Sequence, residues 1–267
     1  WSTKPPQDLV GVAKRAEVLG YWGFFTAEAY GSDAFTPLAW IGADTNSIKL
    51  GTAIIQISAR TPTSAAMHAL TLDHLSKGRL ILGLGVSGPQ VVEGWYGRPF
   101  SKPLARTREY ISIIRQVMAR EGPVMNSGPH YPIPYPADAP GSWGLGKALK
   151  PITHPLRSNV PIFLGAEGPK NVALAAEVCD GWYPLFYSPF REEVYRDSIA
   201  GRPEGFEILC PVHIHVTDDL EAGRLEVKQN IALYVGGMGS RDRNFHNKLI
   251  SRMGFGDAAK RIQDLYL

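Results

Sequence analysis

The chain has 267 residues, 44% of them hydrophobic and 20% charged, with a formal net charge of +3. That is ordinary for a globular protein with a sizeable core, and the length suits one α/β barrel of ~250 residues. The basic residues are scattered, so nucleic acid is not an expected partner, and no run of about 18 apolar residues is present to cross a membrane. Cys179 and Cys210 stand far apart and fit neither a disulfide framework nor a zinc motif. A reducing cytoplasm is the expected location. The start, Trp1-Ser2-Thr3-Lys4, has neither an initiator Met nor a signal-peptide pattern and reads as a chain entered partway.

In chain order, Leu9, Val10, Val12, Ala13, Ala16 and Leu19 recur at helical spacing and stop at Gly20. A short strand is expected over Trp22–Thr26 and a helix over Thr36–Ala43. The β-branched run Ile48–Ile57 reads as one buried strand. A helix over Thr63–Leu75 ends at Ser76-Lys77-Gly78, and Leu80–Leu84 is a further apolar strand closed by a Gly-rich turn. Pro103–Met118 is a long helix with Tyr110, Ile111, Ile114 and Val117 on one face. Glu121–Asn159 is rich in Pro and Gly and carries Tyr131, Tyr135 and Trp143. A structureless stretch of that length is uncommon in a compact domain and is expected to be a lid. Alternation resumes with strand Ile162–Leu164, helix Pro169–Val178, strands Trp182–Phe186 and Phe206–Val216, and a helix near Leu220–Leu233. Repeated βα units imply a parallel sheet in one domain, residues 1–267, with a loop insertion at about 121–159. Six strands are countable where a closed barrel has eight. The first and last strands are expected to lie outside this chain, in a longer protein, and Arg191–Gly205 looks shortened.

Three segments carry chemical signals. Gly83-Leu84-Gly85-Val86-Ser87-Gly88-Pro89-Gln90 follows a strand, and glycines there let a backbone approach a ligand. Its spacing does not match the dinucleotide fingerprint, so a plain strand-to-helix turn is an equal reading. In Gly165-Ala166-Glu167-Gly168-Pro169-Lys170, Gly168 caps a helix and Pro169 takes its first position. Free amides, the helix dipole and Lys170 would favour an anion there, although a well-capped helix with an exposed Lys explains the same residues. Lys49-Leu50-Gly51-Thr52-Ala53-Ile54-Ile55-Gln56 reads alone as core strand.

These segments together, with Leu72–Arg79, resemble the luciferase-like family over nearly the whole chain. Gly85–Gly97, Lys102–Tyr110 and Gly165–Trp182 point to its actinobacterial coenzyme F420-dependent branch. The resemblance implies a (β/α)8 TIM barrel of the bacterial-luciferase-like type, with the cofactor ring at the C-terminal mouth. It implies a bulge with a non-proline cis peptide near Ala53-Ile54, and a phosphate site at Gly165, Ala166, Gly168, Pro169 and Lys170. Gly85, Val86, Ser87, Gly88 and Gln90 would line the ring and its chain, with Ala27, Glu28 and Gln56 nearby. The implied activity is hydride transfer between reduced F420 and a small organic substrate. A flavin mononucleotide (FMN) monooxygenase and a non-catalytic flavin-binding barrel stay open, and a homodimer is a candidate assembly. Several relatives carry His where this chain has Ala29, so their acid or base cannot be carried over. Glu93 and His246 are the candidate catalytic groups; a solvated helix residue is the alternative for Glu93. His68 and His74 read as structural. His213 and His215 lack a third metal ligand, and no metal site is expected. Lys147, Lys150 and Arg157 are weaker candidates for contact with an anionic cofactor tail.

Overall fold

Helix and strand alternate from Leu9 onward, and helical crossovers connect most of the parallel strands. The computed structural model describes Lys4 and residues 6–267; residues 1–3 and 5, at the start of the domain read from sequence, lie outside the described residues. α1 (Leu9–Val18) is capped by Asp8, whose carboxylate accepts from the Gly11 amide at 2.9 Å. α2 (Phe35–Asp44) is capped by Asp33, and α3 (Pro62–Leu75) by Thr61 with Pro62 at its first position. β1 (Gly23–Thr26), β2 (Lys49–Thr52), β3 (Ile55–Gln56), β4 (Leu80–Gly85), β5 (Ile162–Gly165), β6 (Gly181–Tyr183) and β7 (Glu207–Ile208) form one parallel sheet. Its order is β1-β2-β4-β5-β6-β7, with β3 pairing β4 beyond the end of β2. This is an incomplete α/β barrel.

The two faces of the sheet follow from the period of two. Leu50, Leu80, Leu82, Leu84, Ile162, Leu164 and Trp182 join the helix-side core with Leu38, Ile41, Ala66 and Ile114. The register places Phe25, Gly51, Ile81, Gly83, Phe163 and Tyr183 on the other, interior face. There, aromatic rings lie over glycines. A Cβ on Gly51 would stand 2.0 Å from the Phe25 ring, one on Gly83 2.6 Å from the Tyr183 ring, and one on Gly181 2.6 Å from the Phe163 ring. The strand glycines are therefore holes that accept neighbouring rings.

Arg79 staples the N-terminal end of the sheet. It is 7% exposed and donates to the carbonyls of Ser76, Ile48, Gly42 and Thr45 and to the Thr45 hydroxyl. Burial pushes its pKa down, and Glu17 opposes that shift. Glu17 in turn accepts from the amides of Asn46, Ser47 and Ile48, which hold its carboxyl at about 2.

Two strand expectations need correction. The run Ile48–Ile57 is two strands, interrupted at Ala53-Ile54, where the peptide is cis. The strand expected over Phe206–Val216 is paired only at Glu207–Ile208; Val212, Ile214 and Val216 are exposed, and among the described residues no further strand lies beside β7 to continue the ladder. Arg191–Gly205, read as shortened, carries a seven-residue crossover helix, α7 (Glu193–Ile199), reached after a 3-10 turn at Pro189–Arg191.

The later part of the 121–159 segment is not placed as a lid, because it is fixed at the N-terminal ends of the strands, opposite the barrel mouth. There Arg157 clamps Asp73, 1% exposed, and bonds the Leu80 carbonyl, while His74 reaches the His154 carbonyl. Lys150 donates to the Glu121 carbonyl, so neither Lys150 nor Arg157 is free for a cofactor tail. Tyr131 packs on Tyr110 and takes a hydrogen bond from Arg106; Trp143 is solvent-exposed.

The helices between these strands include α4 (Pro89–Gly94), α5 (Pro103–Ala119) and α6 (Pro169–Val178). α8 (Leu220–Ile231), α9 (Phe245–Ile250) and α10 (Gly256–Tyr266) close the chain. A π-helical turn, Ala232–Gly237, follows α8. Gly236 and Gly237 belong to that turn. A Cβ on Gly237 would meet the Tyr266 ring at 2.2 Å, so helix packing explains the pair.

Candidate active site at the barrel mouth

The C-terminal ends of β1 to β6 converge on one mouth, the end at which α/β barrels place their sites. The Glu28 amide donates to the Ile54 carbonyl at 3.0 Å, and the Ala53 amide to the Thr26 carbonyl at 2.7 Å. These bonds lock the β1 end to the break between β2 and β3. Ile54 projects its side chain over Gly85 and Gly165: a Cβ on Gly85 would stand 2.4 Å from Ile54 Cδ1, and one on Gly165 would stand 3.4 Å from Ile54 Cγ2. Packing therefore accounts for Gly85, which sequence reasoning had assigned to ligand approach. Ser87, with φ +58°, turns the chain sharply after β4.

Glu28 is 8% exposed and serves the backbone. Its Oε2 accepts from the Gln56 amide at 3.1 Å and from Arg60 at 2.7 Å. Burial disfavours the Arg60 charge, but the Glu28 carboxylate outweighs it and the Arg60 pKa is raised. Arg60 also lies 5.3 Å over the Phe35 ring. Gln56 donates to the Glu28 carbonyl, which leaves its own Oε1 buried and without a partner. Ala27 is exposed beside it. Tyr96 folds its hydroxyl to the Ala29 carbonyl at 3.4 Å. Arg60 went unselected in the sequence, although it stands just past the quoted strand.

The β5 end differs in kind. Gly168 has φ −79° and ψ 146°, allowed for any residue, and nothing lies within 4 Å of the place a Cβ would take. Neither conformation nor packing requires glycine there. Its carbonyl accepts from the Asn171 and Val172 amides, Pro169 has no N–H, and the Gly168 and Lys170 amides have no partner among the described residues. Lys170 is exposed and makes no ion pair among those residues. Ala166 is buried, with its carbonyl taken by the Trp182 indole at 2.8 Å. Open Cβ space, two free amides and a cation make a fitting cradle for a phosphate. Tyr183 OH, Asn171 Oδ1, Glu167 Oε2 and His246 Nδ1 are also buried without partners. Such groups are few in native proteins and call for an explanation.

The two proposed catalytic groups fare differently. Glu93 is exposed on α4 and accepts from the Phe100 amide at 3.3 Å, a structural contact. Gln90 is exposed, its Oε1 near Gly88. His246 is set between the rings of Phe186 and Tyr234, at 5.8 and 5.2 Å, with Nδ1 at 3.8 Å from Glu167 Oε2. Glu167 lies inside the quoted β5 turn, yet no pattern in sequence paired it with a residue nearly eighty positions away. Of the remaining histidines, His68 and His74 bond backbone carbonyls, and His215 pairs with Glu226. A separate concavity of about 530 Å3 lies on the outer side of α5, but its Arg108 and Arg115 are neutralised by Glu177 and Asp180.

An open parallel α/β barrel with an anion cradle and buried unpartnered polar groups at its C-terminal mouth is a ligand-binding barrel. Residues 2–267 match the family model described as luciferase-like monooxygenase, and the chain belongs to that family. It is 56% identical over 275 positions to a Mycobacterium tuberculosis protein provisionally named a coenzyme F420-dependent oxidoreductase, covering 100% of this chain and 79% of that one. It is 33% identical over 178 residues to the 5,10-methylenetetrahydromethanopterin reductase of Methanolobus tindarius, covering 66% of this chain and 49% of that protein. Among solved structures, the F420-dependent tetrahydromethanopterin reductase of Methanopyrus kandleri matches with TM-score 0.73 at 22% identity, over 97% of this chain and 82% of that one. An F420-dependent secondary alcohol dehydrogenase bound to an F420–acetone adduct matches with TM-score 0.75 at 18% identity, over 96% and 80%. At those identities the structures speak for the fold alone. No helix among the described residues is long and apolar enough to cross a membrane.

Proposed function

We propose that this protein is a coenzyme F420-dependent oxidoreductase that works on a small organic substrate at the barrel mouth. The observation that carries the reading is the 56% identity across the whole chain to the Mycobacterium tuberculosis relative named for F420. When bound, the deazaflavin would supply hydride transfer to or from the substrate carbon. The chain's own residues would do the rest. Gly168, Pro169 and Lys170, with Gly165 and Ala166 behind them, would hold the anionic tail through free amides and one ammonium group. Ala53-Ile54 would back the ring, and Val86, Ser87, Gly88 and Gln90 would border its chain. Glu28 would keep Gln56 fixed so that Gln56 Oε1 faces a ligand donor, and Ala27 would form the rim. Burying these groups under a bound ring would exclude water from the reacting face.

A monooxygenase using FMN is the second reading, favoured by the name of the family model. A side-by-side binding titration decides between them. Tight, saturable F420 binding with weak FMN binding is expected. Tight FMN binding with no response to F420 sinks the cofactor assignment.

A further inference from the structure

The strap of residues 143–156, whose later part is fixed opposite the barrel mouth, turns its large apolar side chains outward. Trp143 is 91% exposed, Leu145 80%, Leu149 70% and Ile152 95%. Single exposed apolar residues are ordinary, but four large ones on one short strap form a patch of the kind that marks an interaction site. The backbone beneath them is fastened. Gly144 and Gly146 lie against the protein, where a Cβ would stand 3.8 Å from Ala137 and 3.1 Å from the Tyr135 carbonyl oxygen, so Leu145 between them points away. The Leu149 carbonyl accepts from the Val124 amide at 2.9 Å, the Pro151 carbonyl accepts from Arg120 at 2.9 Å, and the His154 carbonyl lies 2.8 Å from His74 Nε2. Gly141 and Gly144, with φ +79° and +67°, bend the chain tightly on both sides of Trp143 and set its ring at a tip. A held backbone therefore presents these side chains, and covering them requires little further ordering.

The charge around the patch is one-sided. Lys147 stands between Leu145 and Leu149, is exposed and makes no ion pair among the described residues. Lys77 is exposed as well, beside Gly78, where Leu156 Cδ2 comes within 3.7 Å of the place a Cβ would take. Arg120 and Lys150 add two cations whose hydrogen bonds go to carbonyls. Against these four stand the carboxylates of Glu121 and Asp138. We propose that the strap docks this protein on the surface of an anionic lipid bilayer, with Trp143, Leu145, Leu149 and Ile152 in the headgroup region and Lys147 at the lipid phosphates. Trp suits that depth because its ring is apolar and its N–H polar, and a Lys stem lies along apolar surface while its ammonium stays wet. A second copy of the chain fits less well. A two-fold interface sets each patch against itself, so Lys147 would face a surface of its own sign. Docking of this kind is superficial and needs no spanning helix; none among the described residues is long and apolar enough. It leaves the barrel mouth turned to water, and the inference does not rest on the cofactor reading.

Co-sedimentation of the full chain with lipid vesicles tests the docking. The probes are vesicles of phosphatidylglycerol and phosphatidylcholine in equal parts, and vesicles of phosphatidylcholine alone. Partitioning roughly tenfold or more stronger to the anionic vesicles is expected, and it should weaken as salt is raised. Lys147→Gln should lower it roughly fivefold, since one cation leaves the surface, and Trp143→Ser combined with Ile152→Ser roughly tenfold or more. These side chains are exposed and make no hydrogen bond among the described residues, so melting temperatures should stay within about 2 °C of wild type, which separates docking from folding. No partitioning of the wild type to anionic vesicles at low salt, equal partitioning to both compositions, or variants that partition like the wild type overturns the proposal. So does sedimentation equilibrium that finds a dimer which Ile152→Ser dissociates, because a second copy then covers the patch.

Discussion

Substituting Gly168 by Ala separates ligand contact from folding. The backbone at Gly168 is already allowed for alanine, and the added methyl meets no protein atom within 4 Å. Restricting the unfolded chain stabilises the variant by about 0.4–1 kcal/mol, and alanine at a helix N-cap costs about 0.5–1 kcal/mol. The two nearly cancel, so the melting temperature should move by no more than about 4 °C. The cradle is affected differently. A methyl group there holds an anion away from the free Gly168 and Lys170 amides and removes at least one charge-assisted hydrogen bond. Such a bond contributes about 1.5–3 kcal/mol, which is roughly a ten- to hundredfold loss of affinity. Calorimetric unfolding and an F420 titration on the same preparation measure both quantities. A normal melting temperature with F420 affinity unchanged within twofold would falsify the assignment of this loop to the cofactor.

Gly83→Ala should behave in the opposite way. Its methyl would stand 1.9 Å from the Thr52 carbonyl oxygen and 2.6 Å from Tyr183, and neither can withdraw from the sheet, so the variant is expected to lose at least about 3 kcal/mol in urea unfolding. Arg79→Met leaves the carbonyls of Gly42, Thr45, Ile48 and Ser76 short of a donor; a loss of at least about 3 kcal/mol, or roughly 6 °C or more in melting temperature, is expected with F420 affinity intact. Glu17 has a depressed folded-state pKa of about 2 against an ordinary 4.5. Its contribution is therefore fully present above pH 4.5 and is lost as pH falls toward 2. Glu17→Gln should cost about 1–2 kcal/mol at pH 7 after solvent screening, with the gap to wild type closing on acidification; a gap that stays constant from pH 7 to 3 contradicts that origin.

Local pattern was enough to read much of the fold. The apolar spacing of Leu9–Leu19 and Tyr110–Val117, the cap Gly168-Pro169, and the run Leu80–Leu84 each depend on neighbours a few residues apart, and those interactions are local. Phe206–Val216 misled because alternation makes a strand only where another strand lies beside it, and β7 is the sheet edge. The later part of the 121–159 segment misled for a related reason: its composition shows irregular backbone but not which end of the barrel Arg157 and Asp73 will tie it to.

The glycines divide along the same line. Sequence alone marked Gly83, Gly85 and Gly168 as residues without side chains near strand ends, and the family resemblance aimed the last two at one mouth. Only the tertiary structure separated them. The register lays Tyr183 and Ile54 against the first two, while nothing in the protein fills the space beside the third. The Glu167–His246 approach is likewise invisible in the chain, because it joins a strand end to a helix of the C-terminal region and depends on how that helix is pinned by Asn244. Sequence determined most of the elements, because those rest on short-range periodicity and caps, and its motifs carried the family resemblance. Tertiary structure decided which buried polar groups are left without partners, because satisfaction of a hydrogen bond depends on every element that reaches it.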